Sequence, residues 1–107
     1  MGYIYLILEV DAFGNERCKI GFTKNNPEKR VKSLQTGNSN NISLLKTFET
    51  KNYKLLEKWL HGKFYSQKTE ANNEWFQLTN EEINNFTITC KEYDEIINSY
   101  NEKVNLI

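Results

Sequence analysis

Five side chains carry types that a fold could gather for chemistry: Tyr5, Lys19, Arg30, Glu57 and His61. Tyr5 lies in a β-branched and aromatic run, Tyr3 to Val10, which reads as a strand. Lys19 lies in a second run, Cys18 to Thr23. That run alternates, with Cys18, Ile20 and Phe22 on one face and Lys19, Gly21 and Thr23 on the other. Matching Ile4, Leu6 and Leu8 with Cys18, Ile20 and Phe22 in a hairpin puts Tyr5 and Lys19 on the opposite, more polar face. An ammonium beside a phenol favours the phenolate and lowers its pKa from about 10. Such a tyrosine takes a proton from water more readily. Strands are also rich in tyrosine, and a solvated strand lysine is the plainer account of Lys19.

Arg30 stands one position from Val31, at the edge of the apolar pair Val31 and Leu34. Its planar fork of donors suits a phosphate, and Lys24, Lys29 and Lys32 surround it. An ordinary exposed helix arginine fits the same spacing. Farther on, Tyr53, Leu56, Leu60 and Phe64 recur at helical spacing. At 100° per residue Glu57 falls about 40° from Tyr53 and about 20° from Phe64, so a carboxylate borders the packed stripe. His61 follows it at i+4 on the same margin. A carboxylate placed there needs a partner. A divalent cation, Arg30 or a plain ion pair would each serve. Mg²⁺ is held by one or two carboxylates together with phosphate and water, so a single Glu is sufficient in type. His61 by itself reads more readily as a hydrogen-bonded, partly buried histidine than as a catalyst.

The elements that must position these groups follow in order. Asp11 to Arg17 holds Asp, Gly and Asn and reads as the loop between the first two strands. Asn26-Pro27 opens a helix with an N-cap and a first-turn proline, and Gly37 closes it. Ile42 to Glu49 is a third strand, and Asn52 to about Tyr65 is the helix that bears Glu57. Ser66 to Asn73 is polar and reads as loop, followed by a short extended segment, Glu74 to Leu78. Thr79 and Glu82 form a capping box for a third helix. Residues 90–104 form a last amphipathic helix whose buried side is read as Tyr93, Ile96, Ile97 and Tyr100. The class is α+β: a three-stranded, mainly antiparallel sheet flanked by helices, with a C-terminal helical extension. The expected organisation is a domain over 1–88 and a helix over 89–107 packed on it.

The chain has 107 residues, 38% hydrophobic and 26% charged, which suits one modest core and not a disordered tail. Its 14 basic and 14 acidic residues cancel to a net charge of +0, which excludes a uniformly basic coat for nucleic acid. The cancellation hides a segregation. Residues 17–68 hold twelve basic residues against three acidic, a local charge of +9, and residues 70–102 carry −7. A basic surface facing an anion is one reading, and a patchwork of solvated faces is the other. No apolar run approaches the roughly 20 residues that span a bilayer, and no secretion signal is visible. Cys18 and Cys90 have no metal-ligand spacing and read as reduced thiols of a cytoplasmic, non-secreted protein.

Taken together, Ile4-Tyr5, Lys19-Ile20-Gly21, Arg30 and Glu57 resemble the motifs of the GIY-YIG nuclease superfamily, over roughly residues 2–78. The longer string, from Lys-Ile-Gly-Phe-Thr through Arg-Val-Lys-Ser-Leu-Gln-Thr-Gly-Asn to Glu-Trp-Phe-Gln-Leu, is similar to a branch common in phages and large DNA viruses, where the second motif reads Lys-Ile-Gly. That resemblance implies a Mg²⁺- or Mn²⁺-dependent endonuclease acting on DNA in a bacterial, phage-infected or virus-infected cell. Tyr5 matches the tyrosine that activates the attacking water, and Lys19 replaces the second-motif tyrosine. Arg30 matches the arginine that steadies the scissile phosphate, and Glu57 the ligand of the single metal ion. His61 and Glu74 belong to the pattern of the branch. The sequence departs from the family's pattern at Tyr3, which separates Gly2 from Ile4-Tyr5, and at Leu34, where some members place a His. Lys24, Lys29, Lys32, Lys54 and Lys58 are the expected contacts to the nucleic-acid backbone.

The alternative function is a catalytically weak nucleic-acid-binding or regulatory module on the same fold. Trp59, Tyr65, Trp75 and Phe76 would then be stacking platforms, or else core aromatics. No separate DNA-reading module is visible, which leaves a homodimer or a DNA-targeting partner to supply one.

Overall fold

The computed structural model describes residues 1–69 and 74–105. Four strands form one antiparallel sheet: β1 (Gly2–Val10), β2 (Glu16–Thr23), β3 (Asn41–Thr50) and β4 (Trp75–Phe76), in the order β3-β1-β2-β4. The three expected strands are present. The extended segment after residue 73 adds the fourth, a two-residue strand on the outer edge of β2.

The hairpin register pairs Ile4 with Phe22, Leu6 with Ile20 and Leu8 with Cys18, as the apolar alternation requires. A bulge between Leu6 and Ile7 leaves Leu45 of β3 without a paired residue in the ladder. Ile4, Leu6, Cys18 and Ile20 form the main core with Tyr53, Leu56, Leu60 and Phe64 of α2 (Tyr53–Lys63) and its C-cap, and with Phe86, Cys90 and Ile97 of α4 (Phe86–Asn105). Phe22, expected in that core, lies at its margin, 38% exposed and tilted against Tyr53 with ring centroids 5.4 Å apart.

The opposite face is not the polar surface that the alternation suggested. Tyr5 is 1% exposed and Ile7 is fully buried, because β1 runs down the middle of the sheet and α1 (Pro27–Thr36) packs over β3 and β1. α1 starts as expected: Asn26 accepts a hydrogen bond from the Glu28 N–H at 2.9 Å, with Pro27 in the first turn. Its apolar pair, Val31 and Leu34, is half-buried rather than buried.

After α2 a 3₁₀ turn, Tyr65–Gln67, begins the segment expected as loop; residues 70–73 of that segment lie outside the described residues. Thr79 and Glu82 form the capping box of α3 (Asn80–Asn84), with bonds of 2.8 and 3.1 Å. α4 begins at Phe86, four residues before the expected start. Its buried stripe is Phe86, Cys90 and Ile97 with Tyr93 half-buried, while Ile96 and Tyr100 are 52% and 64% exposed. That corrects the expected buried side. The i+4, i+3, i+4 stripe beginning at Phe86 turns Ile96 away from the sheet, and Tyr100 lies beyond the last buried residue. Thr50 Oγ1 donates to Asp94 at 2.6 Å, and the Asn52 amide donates to Asp94 and Asn98 at 2.9 and 2.8 Å, pinning α4 to the β3–α2 junction. Both cysteines are buried and free. Among the described residues no helix is long and apolar enough to cross a membrane.

Candidate active site

The outer edge of β2 sets the geometry. Even-numbered residues of β2 turn their peptide groups away from β1. The Ile20 N–H donates to the Glu74 carbonyl at 3.1 Å, and the ladder of β4 ends there. The next edge groups, the Ile20 carbonyl and the Phe22 N–H, are met by side chains of α2 instead. His61 Nε2 donates to the Ile20 carbonyl at 2.8 Å, so Nε2 carries the hydrogen. Glu57 accepts from the Phe22 N–H. The i, i+4 spacing of Glu57 and His61 thus matches two successive exposed groups of one strand edge. His61 also abuts Phe76 edge-on, at 5.1 Å between ring centres.

Tyr5 approaches the same strand from β1. It pairs with Gly21, and its phenol lies directly over that glycine. A Cβ at position 21 would overlap the phenol oxygen and the ring carbon that bears it. Gly2 is constrained in the same way, by the ring of Tyr53 at 2.6–2.8 Å from a built Cβ. Among the described residues no buried side-chain nitrogen or oxygen lacks a partner. Tyr5 as a whole is 1% exposed.

Lys19 is two residues from Gly21 on the same strand face. Its ammonium pairs with the Glu74 carboxylate at 2.9 Å, and lies 5.5 Å from the Trp75 ring centre. The expected partner was the phenol, and Glu74 is the partner found. β4 brings it there by pairing Trp75 with Lys19. Glu57 feels this neighbourhood. Burial first, and repulsion by the Glu74 carboxylate second, push its carboxyl up to about 7 against the pull of Lys19 and the Phe22 N–H.

Arg30 is exposed on α1 and, with Lys29, Thr23, Asn25 and Asn26, lines an open hollow at the end of β2. Thr23 shares its strand face with Gly21 and Lys19. Lys19, Glu57 and His61 thus lie along the outer edge of β2 between Lys19 and Phe22, the Tyr5 phenol lies over Gly21 of the same strand, and Arg30 of α1 stands beside Thr23 at the end of that strand. Lys24, Lys29, Lys32, Lys54 and Lys58 are all exposed. Of the four aromatics read as stacking platforms, Phe76 is fully buried, Trp59 packs edge-on against Tyr93 at 5.7 Å, Trp75 lies under Arg17 at 4.2 Å, and Tyr65 is exposed.

One polar cluster escaped the reading of the sequence. Glu9 is 4% exposed, yet Arg17 Nε and the Asn38 amide each donate to it at 2.7 Å. Burial works against its charge, but these bonds hold its pKa below the usual carboxylate value. The cross-strand pairing of Glu9 with Arg17 is the signal that could have found it.

The oxygen donors fit a magnesium-type cation. A half-buried carboxylate with incomplete charge compensation stands near a second carboxylate, and such a cation fills its remaining positions with water and phosphate oxygens. Among the described residues no group of three or more His, Cys, Asp or Glu gathers into a cage.

No curated protein and no solved structure matches the chain. The T5orf172 domain matches residues 2–98, a stretch that contains every residue of the site and most of α4. The domain is found in phage and related proteins and is associated with nuclease-type folds. With nine-tenths of its length matched, the chain belongs to the T5orf172 domain family.

Proposed function

We propose that this protein is a divalent-metal-dependent endonuclease that hydrolyses DNA phosphodiester bonds at the end of β2, by the chemistry of the GIY-YIG superfamily. The observation that carries this reading is the half-buried Glu57 carboxyl on the Phe22 N–H, within the electrostatic reach of Lys19 and Glu74, with the Tyr5 phenol over Gly21 of the same strand. A half-buried carboxyl pushed up to about 7 beside a second acid supports the same reading.

Glu57 would hold Mg²⁺ or Mn²⁺, with Glu74 in reach as a second acid. When bound, the ion neutralises phosphate charge and stabilises the charge that grows in the transition state. Arg30 offers its guanidinium fork to the phosphate oxygens. The Tyr5 hydroxyl, fixed against Gly21, orients the attacking water and takes part in moving its proton. Lys19 supplies a second positive charge beside the phosphate. His61 holds α2 to β2, and so holds Glu57 in place. Lys24, Lys29, Lys32, Lys54 and Lys58 add attraction to the backbone without reading sequence.

The test is cleavage of labelled single-stranded, double-stranded and branched DNA with Mg²⁺ or Mn²⁺. Glu57→Gln should lower the rate at least about 100-fold, as the loss of one charge-stabilising group does, while DNA binding persists. Salt-sensitive binding with no cleavage under either metal would assign the chain to a binding module instead.

A further inference from the structure

α4 is 20 residues long, about 30 Å, and the rest of the domain covers only its first part. Its last buried residue is Ile97. Tyr100 and Val104 continue toward the C-terminus, yet are 64% and 48% exposed, with Ile96 beside them at 52%. Ile96 and Tyr100 form the apolar floor of a surface hollow. Glu92 and Glu95 stand at its N-terminal end, Ser99 in the middle and Lys103 at its C-terminal end.

The order of charges along this face is self-complementary. A second identical helix laid antiparallel on it sets Glu92 of each copy against Lys103 of the other, since a two-fold axis makes each contact twice. The same axis, passing between Ile97 and Asn98, sets Ile96 of each copy beside Tyr100 of the other. A parallel pairing would oppose Glu92 to Glu92 and Lys103 to Lys103. We propose that the exposed face of α4, centred on Ile96 and Tyr100, is the docking surface for a second copy of this chain, as an antiparallel helix pair. A contact confined to one helix face falls at the small end of specific interfaces, roughly 1,200 Å² or less, so association should be weak and concentration-dependent. It does not depend on the reaction proposed above.

Sedimentation equilibrium of the whole chain tests it. The mean mass should rise from 12.7 kDa toward twice that value with increasing concentration. Glu92→Lys should hold the chain at monomer mass, and so should Tyr100→Ser. Both positions are exposed, so an unchanged circular dichroism spectrum separates loss of contact from loss of fold. Glu92→Lys combined with Lys103→Glu should restore association. A monomer at every concentration, a dimer indifferent to Glu92→Lys and Tyr100→Ser, or a double variant that stays monomeric would each overturn the proposal.

Discussion

Glu57 is a half-buried carboxyl whose charge the fold compensates only in part. Its folded pKa of about 7 stands above the ordinary 4.5. Below the ordinary value both folded and unfolded chains hold the proton. Between the two values the folded chain keeps a proton that the unfolded chain has lost, so stability falls as pH rises through this window. Thermal melts from pH 5 to 8 should show the wild type losing about 1–2 kcal/mol relative to Glu57→Gln, after discounting for the solvent that reaches a half-buried group. A divalent cation competes with the same proton. Its affinity should therefore rise about tenfold per pH unit up to about 7 and then level off, as calorimetric titration would read. Arg30 is different in kind. It is exposed, so Arg30→Ala should leave the melting temperature unchanged and lower the cleavage rate by about 10²–10³.

At the scale of elements, the site is a strand edge closed by a helix. His61→Ala removes the donor to the Ile20 carbonyl and the ring against Phe76, and should destabilise the fold by about 1–3 kcal/mol in denaturant titration. Gly21→Ala drives a methyl group into the buried Tyr5 phenol, and should cost about 1–3 kcal/mol as an overpacked contact. The hydrophobic alternation of β1 and β2 made the hairpin and its register legible, because a slip by one residue would expose Ile4, Leu6 and Ile20 together. Helical spacing likewise made the core face of α2 legible, and with it the marginal position of Glu57. Three things were not legible. The burial of Tyr5 depends on α1 crossing the far face, which periodicity within β1 cannot report. The partner of Lys19 is Glu74, because a two-residue strand brings it back across an intervening loop, and so short a strand carries no period. The exposure of Tyr100 depends on where the rest of the domain stops, which the pattern of α4 alone does not encode.

For the molecule as a whole, the cancelled net charge conceals a basic stretch, residues 17–68, that contains Lys19, Arg30 and Glu57 together with all five lysines assigned to the DNA backbone. If about six of these cations meet phosphates, affinity for DNA should fall about 10³-fold between 50 and 200 mM salt, with little dependence on sequence. The acidic residues of α4 lie beyond this stretch in the chain.

The claim on which the functional reading rests is that a divalent cation is held at the end of β2 by Glu57. Mn²⁺ added to ¹⁵N-labelled protein broadens amide signals according to their distance from the bound ion, and so maps the site directly. The signals of Lys19 to Thr23 should fade first, and Glu57→Gln should restore them at the same Mn²⁺ concentration. Broadening centred instead on Glu92 and Glu95 of α4, or on the Glu9–Asp11–Glu16 end of the hairpin, or left unchanged by Glu57→Gln, would contradict it.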